Sequence, residues 1–250
     1  MKVSLSLGVA SLALLLASCG GSEGENAGNS VAAAGGAPTA SVPAPNGSDW
    51  SQTVSQTAEG GFIMGNPNAP VKVVEFASYT CPHCAEFSEH GAQELVNKYV
   101  KTGQVSFELR NYVRDPIDLT VALLSRCGGA GPFFKLSDQL FAAQEDWIGK
   151  LQTMPAAMQQ QLQTMQPTQM AQTVAEQAGL IQFVRVRGVP AEKAQQCLGD
   201  NSAIERLVQM NQSATQQYQL TGTPSFLING EVVPNAANWA TLEPKIQEAL

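Results

Sequence analysis

The sequence predicts a mixed α/β domain carrying an inserted helical domain, and three observations lead there. The run Val71-Lys72-Val73-Val74-Glu75-Phe76-Ala77, just after Asn-Ala-Pro, has the length and β-branched content of a central strand. It passes through Ser78-Tyr79-Thr80 into a helical stretch at about 85–101, where Phe87, Leu95, Val96 and Tyr99 offer an apolar face. Towards the C-terminus, Ser225-Phe226-Leu227-Ile228 reads as a second strand, and Asn229-Gly230 as a type I′ hairpin turn into Glu231-Val232-Val233. Between these portions, at roughly 115–200, short helical patterns at 117–126, 133–144, 166–178 and 191–198 are separated by Gly128-Gly129, Gly131-Pro132, Pro155, Pro167, Gly179 and Gly188.

The chain has 250 residues, 14 basic and 21 acidic, for a net charge of −7. Phosphate recognition needs clustered Lys and Arg, so nucleic acid is excluded as a partner. The five cysteines are odd in number, which leaves at least one outside any internal pairing. The N-terminus suggests which. One positive charge at Lys2 precedes an apolar run at 3–17, too short to span a bilayer and of signal-peptide length. The run ends Leu16-Ala17-Ser18-Cys19, which resembles a bacterial lipobox. The expectation is a signal peptide at 1–18, removed on export, and a lipid on Cys19; a plain unpaired Cys19 is the alternative. Residues 20–49 contain 24 Gly, Ala, Ser, Pro or Asn out of 30, too little apolar surface to offset chain entropy, so residues 19–60 should form a flexible linker. The domain proper is expected from 61 to 250, large enough to bury its own core.

Cys81-Pro82-His83-Cys84 stands at the predicted start of the first helix. Pro82 suits the first helical turn, where its missing N–H costs nothing. Cys81 then sits at the helix N-terminus, where free N–H groups and the helix dipole favour a thiolate, and His83 supplies a further donor or cation close to the sulfur. A stabilised thiolate favours the reduced pair, which makes the Cys81–Cys84 disulfide an oxidant, with Cys84 as the resolving thiol. Other readings of the motif are weaker. A haem attachment site needs His directly after the second Cys, where Ala85 stands. Zinc needs three or four ligands, and this chain has two His residues, both near the motif. A structural bridge across two residues gains little entropy on closure. No metal and no organic cofactor is expected. His90 reads as a solvated helix residue.

In combination, Val-Val-Glu-Phe ahead of the first Cys, Cys-Pro-His-Cys itself, and Gly222-Thr223-Pro224-Ser225-Phe226-Leu227-Ile228-Asn229-Gly230 near the end resemble the DsbA-like thiol:disulfide oxidoreductases of the thioredoxin superfamily. The resemblance runs from Asn66 to about Leu250. It implies a thioredoxin-like fold with a helical lid and exchange at Cys81 and Cys84. It further implies a cis-proline at Pro224 whose preceding residue, Thr223, offers backbone to an extended substrate, and a buried acid at Glu75 able to relay the proton of the resolving thiol. Apart from the resemblance, Glu75 could equally be an exposed alternate residue of its strand. Thr223 stands where the best-known oxidase has Val, and Thr also occurs in isomerases and reductases.

The insert holds Cys127 and Cys197, one at a helix end and one inside a helix. In an exported protein they are expected to pair, with two buried free thiols as the alternative. Residues 151–175 carry no charge, eight Gln, and Met154, Met158, Met165 and Met170, which either fill gaps in packing or offer soft sulfur to Cu(I). The expected function is an exported, membrane-tethered thiol:disulfide oxidoreductase of the bacterial periplasm, most simply an oxidase. Its partners would be reduced or misoxidised client proteins, a membrane redox partner that resets the Cys pair, and the lipid membrane through Cys19. The alternatives are an isomerase or reductase kept reduced by a membrane partner, and a copper-handling lipoprotein.

Overall fold

The computed structural model describes residues 41–250, so the proposed signal peptide and Cys19 lie outside the described residues. Six strands form one sheet: β1 (Val54–Gln56), β2 (Phe62–Gly65), β3 (Val71–Ala77), β4 (Val105–Asn111), β5 (Ser225–Ile228) and β6 (Glu231–Val232). Their spatial order is β1-β2-β4-β3-β5-β6. The run expected to be a central strand is β3, paired parallel to β4 and antiparallel to β5. Parallel neighbours need a crossover, and it is helical. It comprises α1 (Pro82–Glu86), π-helical turns at Phe87–Gly91 and Val96–Val100, and α2 (Ala92–Leu95) between them.

The insert between β4 and β5 contains α3 (Pro116–Arg126), α4 (Ala130–Ala142), α5 (Gln144–Gln152), α6 (Ala156–Leu162), α7 (Pro167–Gln177), α8 (Leu180–Arg185) and α9 (Ala191–Leu198). The chain then returns through α10 (Asn201–Tyr218) and closes with α11 (Trp239–Ala249). Three of the four helices expected in the insert stand where the apolar period placed them. The fourth, expected to run unbroken over 133–144, starts at Ala130 and stops at Ala142, and Gln144 opens a separate helix, α5. Helices α5, α6, α8 and α10 were not legible in the sequence. In α10 only Ile204, Leu207 and Ala214 are buried among 18 largely polar residues, too sparse a stripe to announce itself.

Both faces of β3 are covered. Val71, Val73 and Ala77 join a core with Phe87, Leu95, Phe226 and Ile246, whereas Val74 and Phe76 pack with Ala214, Leu220 and Leu227. Past the exposed Lys72, every residue of β3 from Val73 to Ala77 is buried, and Glu75 is only 2% exposed. At the turn between β5 and β6, Asn229 and Gly230 take φ of 51° and 89°, the two positive values that a type I′ turn requires.

The linker expected over 19–60 needs correction, because packed chain begins well ahead of residue 61. The Val42 N–H donates to Thr102 O at 2.9 Å, and Trp50, 8% exposed, donates from Nε1 to Val42 O at 2.8 Å. Strand β1 extends the sheet by antiparallel pairing with β2. Small polar composition concealed this, since one Trp and one short edge strand suffice to anchor the segment.

Cys127 and Cys197 are bonded, with S–S 2.05 Å, tying the end of α3 to α9 across a sequence separation of 70. Met154 is buried, and Met158 and Met170 pack against the core. Trp147 is buried with its Nε1–H donated to Leu140 O at 3.0 Å, so the largest side chain of the insert leaves no polar group unpaired.

Candidate active site

Strand β3 runs directly into the Cys-Pro-His-Cys turn. Cys81 is the N-cap of α1, with extended φ −93° and ψ 119°, and Pro82 occupies the first turn. The Cys81 carbonyl accepts from Ala85 N–H at 3.2 Å, which makes it the first rung of the helix. Cys84, one turn further, is completely buried. Both cysteines are free thiols here.

The antiparallel register Glu75↔Phe226 and Phe76↔Ser225 places the start of β5 beside the end of β3. That pairing carries the Thr223–Pro224 bond, which is cis, to the cysteines. As a thiol, Cys81 Sγ donates to Thr223 O at 3.1 Å, across 142 residues of sequence. Beyond Pro224 lies a cleft of about 360 Å³, lined by the 218–225 segment on one side and the 232–237 segment on the other. A separate cleft of about 760 Å³ lies against Arg110, Arg206 and Tyr218 and includes neither thiol.

The two thiols are driven apart in acidity. Cys81 is lowered to about 5, first because the Cys84 S–H donates to its thiolate, then through the Thr223 side chain, and last because backbone N–H groups of Cys84 and His83 point at it, all against the cost of burial. Cys84 is raised well above the ordinary thiol value, mainly by burial and then by its bond to Cys81 and the nearby charge of Glu75. Glu75 is itself raised well above the carboxylate range, by burial first and then by Asp138 and Cys81, and its Oε1 has no hydrogen-bond partner. A buried carboxyl whose hold on its proton is strengthened in this way is suited to exchange that proton with the nearby Cys84 thiol.

The His83 imidazole is 71% exposed and lies 3.5 Å from Glu86, and the His83 backbone N–H is a donor to the Cys81 sulfur. The side chain follows the solvent-facing side of the first helical turn, while its amide points along the helix axis. His90, also 71% exposed, is the solvated residue its position suggested.

Residues that sequence patterns did not reveal hold the turn ahead of the motif. Asp118 Oδ1 accepts from Tyr79 N–H at 2.7 Å, and Asp115 Oδ2 accepts from Thr80 Oγ1 at 2.8 Å. The Tyr79 hydroxyl shares a 2.7 Å hydrogen bond with Ser137 Oγ, and Gln144 Nε2 reaches two carbonyls of the same turn. Asp115 and Asp118 carried a signal, since an Asp at a helix start followed by one three residues later is a capping pattern. Gln144 carried none.

The thioredoxin family model matches residues 57–248, about three quarters of the sequence. The chain belongs to the thioredoxin family. A solved protein-disulfide isomerase from Novosphingobium aromaticivorans is 32% identical, covering 80% of this chain and 97% of its own, with a TM-score of 0.72. Wolbachia pipientis alpha-DsbA1 shares the fold at a TM-score of 0.62 and 19% identity, over 78% of this chain and 92% of its own. Among curated relatives, a Rickettsia felis protein whose name proposes a protein-disulfide oxidoreductase is 28% identical over 170 residues, 68% of this chain. The chain spans only 53% of that relative's length. The thioredoxin-like fold with a helical insert, expected from the motifs, is the fold observed.

Proposed function

We propose that this protein is an exported thiol:disulfide oxidoreductase that forms or exchanges disulfides in client proteins, working most simply as an oxidase. The observation that carries the reading is the paired acidity of the motif, with Cys81 lowered to about 5 and Cys84 raised. In the oxidising direction a client thiolate attacks Sγ of Cys81 in the Cys81–Cys84 disulfide. The S–S bond breaks, Cys84 leaves as thiolate and takes a proton, for which the Glu75 carboxyl is the nearby source. A second client thiolate then attacks the client sulfur of the mixed disulfide, and Cys81 departs as its stabilised thiolate. The client leaves oxidised and the pair reduced by two electrons, so each turnover needs a membrane redox partner to withdraw them. Thr223 and Pro224, beside Sγ, are the platform for an extended client segment. The names of the Rickettsia and Novosphingobium relatives agree with thiol exchange.

The chain organisation fits this setting: a signal peptide at 1–18, a lipid on Cys19 and a small-residue tether would hold the packed domain at a membrane facing the bacterial periplasm. The Cys127–Cys197 bridge suits an oxidising compartment. Thr223, shared with isomerases and reductases, favours as second reading an enzyme kept reduced by its membrane partner. In the test, oxidised protein is mixed with a reduced two-cysteine model peptide. Wild type should oxidise the peptide, Cys81→Ser should not, and an active Cys81→Ser protein would refute the proposal. Alkylation trapping in cells separates the directions, since an oxidase keeps Cys81 mainly disulfide-bonded and an isomerase keeps it free.

A further inference from the structure

Gln144 opens α5 in the helical insert and is only 6% exposed. Its Nε2 donates to Tyr79 O at 2.6 Å and to Cys81 O at 3.0 Å. Both carbonyls belong to the turn that carries the nucleophile into α1. A primary amide has two N–H donors, so one side chain can hold both oxygens at once; a carboxylate has no donor and a hydroxyl has one. The opposite side of the turn is held as well. Asp118 accepts the Tyr79 N–H at 2.7 Å, and Ser137 meets its hydroxyl at 2.7 Å. Side chains from α3, α4 and α5 therefore grip Tyr79 at its N–H, its ring and its carbonyl, and Gln144 alone extends that grip to Cys81.

We propose that Gln144 is a positioning residue for thiol exchange: by holding the Tyr79 and Cys81 carbonyls it fixes the peptide planes at the start of α1, so that the His83 and Cys84 N–H groups stay aimed at Cys81 Sγ. This rests on the reading of Cys81 as the exchanging thiol. Without Gln144 the Cys81 carbonyl keeps its helical bond to Ala85 N–H but loses its tie to the insert, and the Tyr79 carbonyl loses its side-chain donor. Peptide planes freed in this way spread over orientations in which N–H groups reach the sulfur less directly, and carbonyl dipoles come nearer to a negative charge they oppose. The helical insert thus acts on the chemistry of a sulfur that belongs to the other part of the fold. A Gln at this place also explains a break in the helical run: Ala143, at φ −98° and ψ 13°, ends α4 so that the next residue can turn inward.

The test uses the full chain in its reduced form: wild type, Gln144→Met, which keeps side-chain length without a donor, and Gln144→Asn, which keeps the amide one methylene short. Thiolate formation is followed by absorbance near 240 nm, redox equilibrium against glutathione, and melting by circular dichroism. Gln144→Met should move the Cys81 titration upward by about one pH unit, equivalent to about a tenfold shift of the glutathione equilibrium towards the disulfide form. Gln144→Asn should shift in the same sense, because the shorter amide cannot span both carbonyls. A residue needed only for packing would lower the melting temperature while leaving both the titration and the glutathione equilibrium at wild-type values, and that result overturns the proposal. If Gln144→Met does not fold, Gln144→Asn decides on the same two readings. Failure of the underlying assignment looks different, since wild type itself would then show no thiolate below neutral pH and no exchange with the model peptide.

Discussion

Titration of the reduced protein should expose Cys81 directly. Its thiol is lowered from 9.0 to about 5, whereas in the unfolded chain it ionises near the ordinary value. A group depressed on folding stabilises the folded, reduced protein fully only above its unfolded value, and loses that contribution as pH falls through its folded value. At pH 7 only the interval between about 5 and 7 counts, because an ordinary thiol is still protonated there. That interval is worth about 2.8 kcal/mol at 1.4 kcal/mol per unit, and about 1–2 kcal/mol once solvent screening is allowed for. The same asymmetry shapes the potential. Below pH 5 two protons accompany the two electrons and the potential should fall by about 59 mV per pH unit; above it Cys81 is already ionised, one proton remains, and the slope should halve to about 30 mV. The assay is equilibration with glutathione from pH 4 to 8, alongside absorbance near 240 nm. A single slope through pH 5, or one thiolate midpoint above pH 7, would refute the reasoning that the helix start and Cys84 together stabilise this sulfur.

Replacing Cys84 by Ala removes the foremost cause of the shift, a hydrogen bond to a charged sulfur worth about 1.5–3 kcal/mol, so the Cys81 midpoint should rise by about one to two units in the same absorbance titration. A Cys127→Ala/Cys197→Ala double variant opens a closure of 70 residues, which on the chain-entropy account costs about 4 kcal/mol. Its thermal midpoint should fall by about 8–16 °C, with the Cys81 titration unmoved. Trp50→Ala should cost about 3–5 kcal/mol in urea unfolding, a loss that a residue in a free linker would not produce.

Much of the site was legible because it is local. Strand β3, the two cysteines and Pro82 lie within 14 consecutive residues, Val71 to Cys84, and a β-branched run followed by Pro at a helix start reports its conformation without help from distant chain. The cis position of Pro224 and the burial of Glu75 came from resemblance; no local pattern distinguishes a Glu under a helix from a Glu facing water. That the His83 imidazole lies out in solvent near Glu86 was equally illegible, since proximity in sequence says nothing about which way a side chain leaves a helical turn. Residues 41–60 were misjudged because composition averages over a window, and the window hid Trp50 and β1.

By itself, then, the sequence determined the strand, the helix start and the identity of the two thiols, because backbone preference and helix polarity act over a few residues. Only the tertiary structure decided what surrounds the thiols. Pairing of β3 with β5 brings Thr223 to Cys81 across 142 residues, α10 and α11 close both faces over Glu75, and the insert delivers Gln144 to carbonyls 63 and 65 residues away. Acidity at a sulfur depends on donors and burial within a few ångströms, and which groups come that close is set by sheet register and packing.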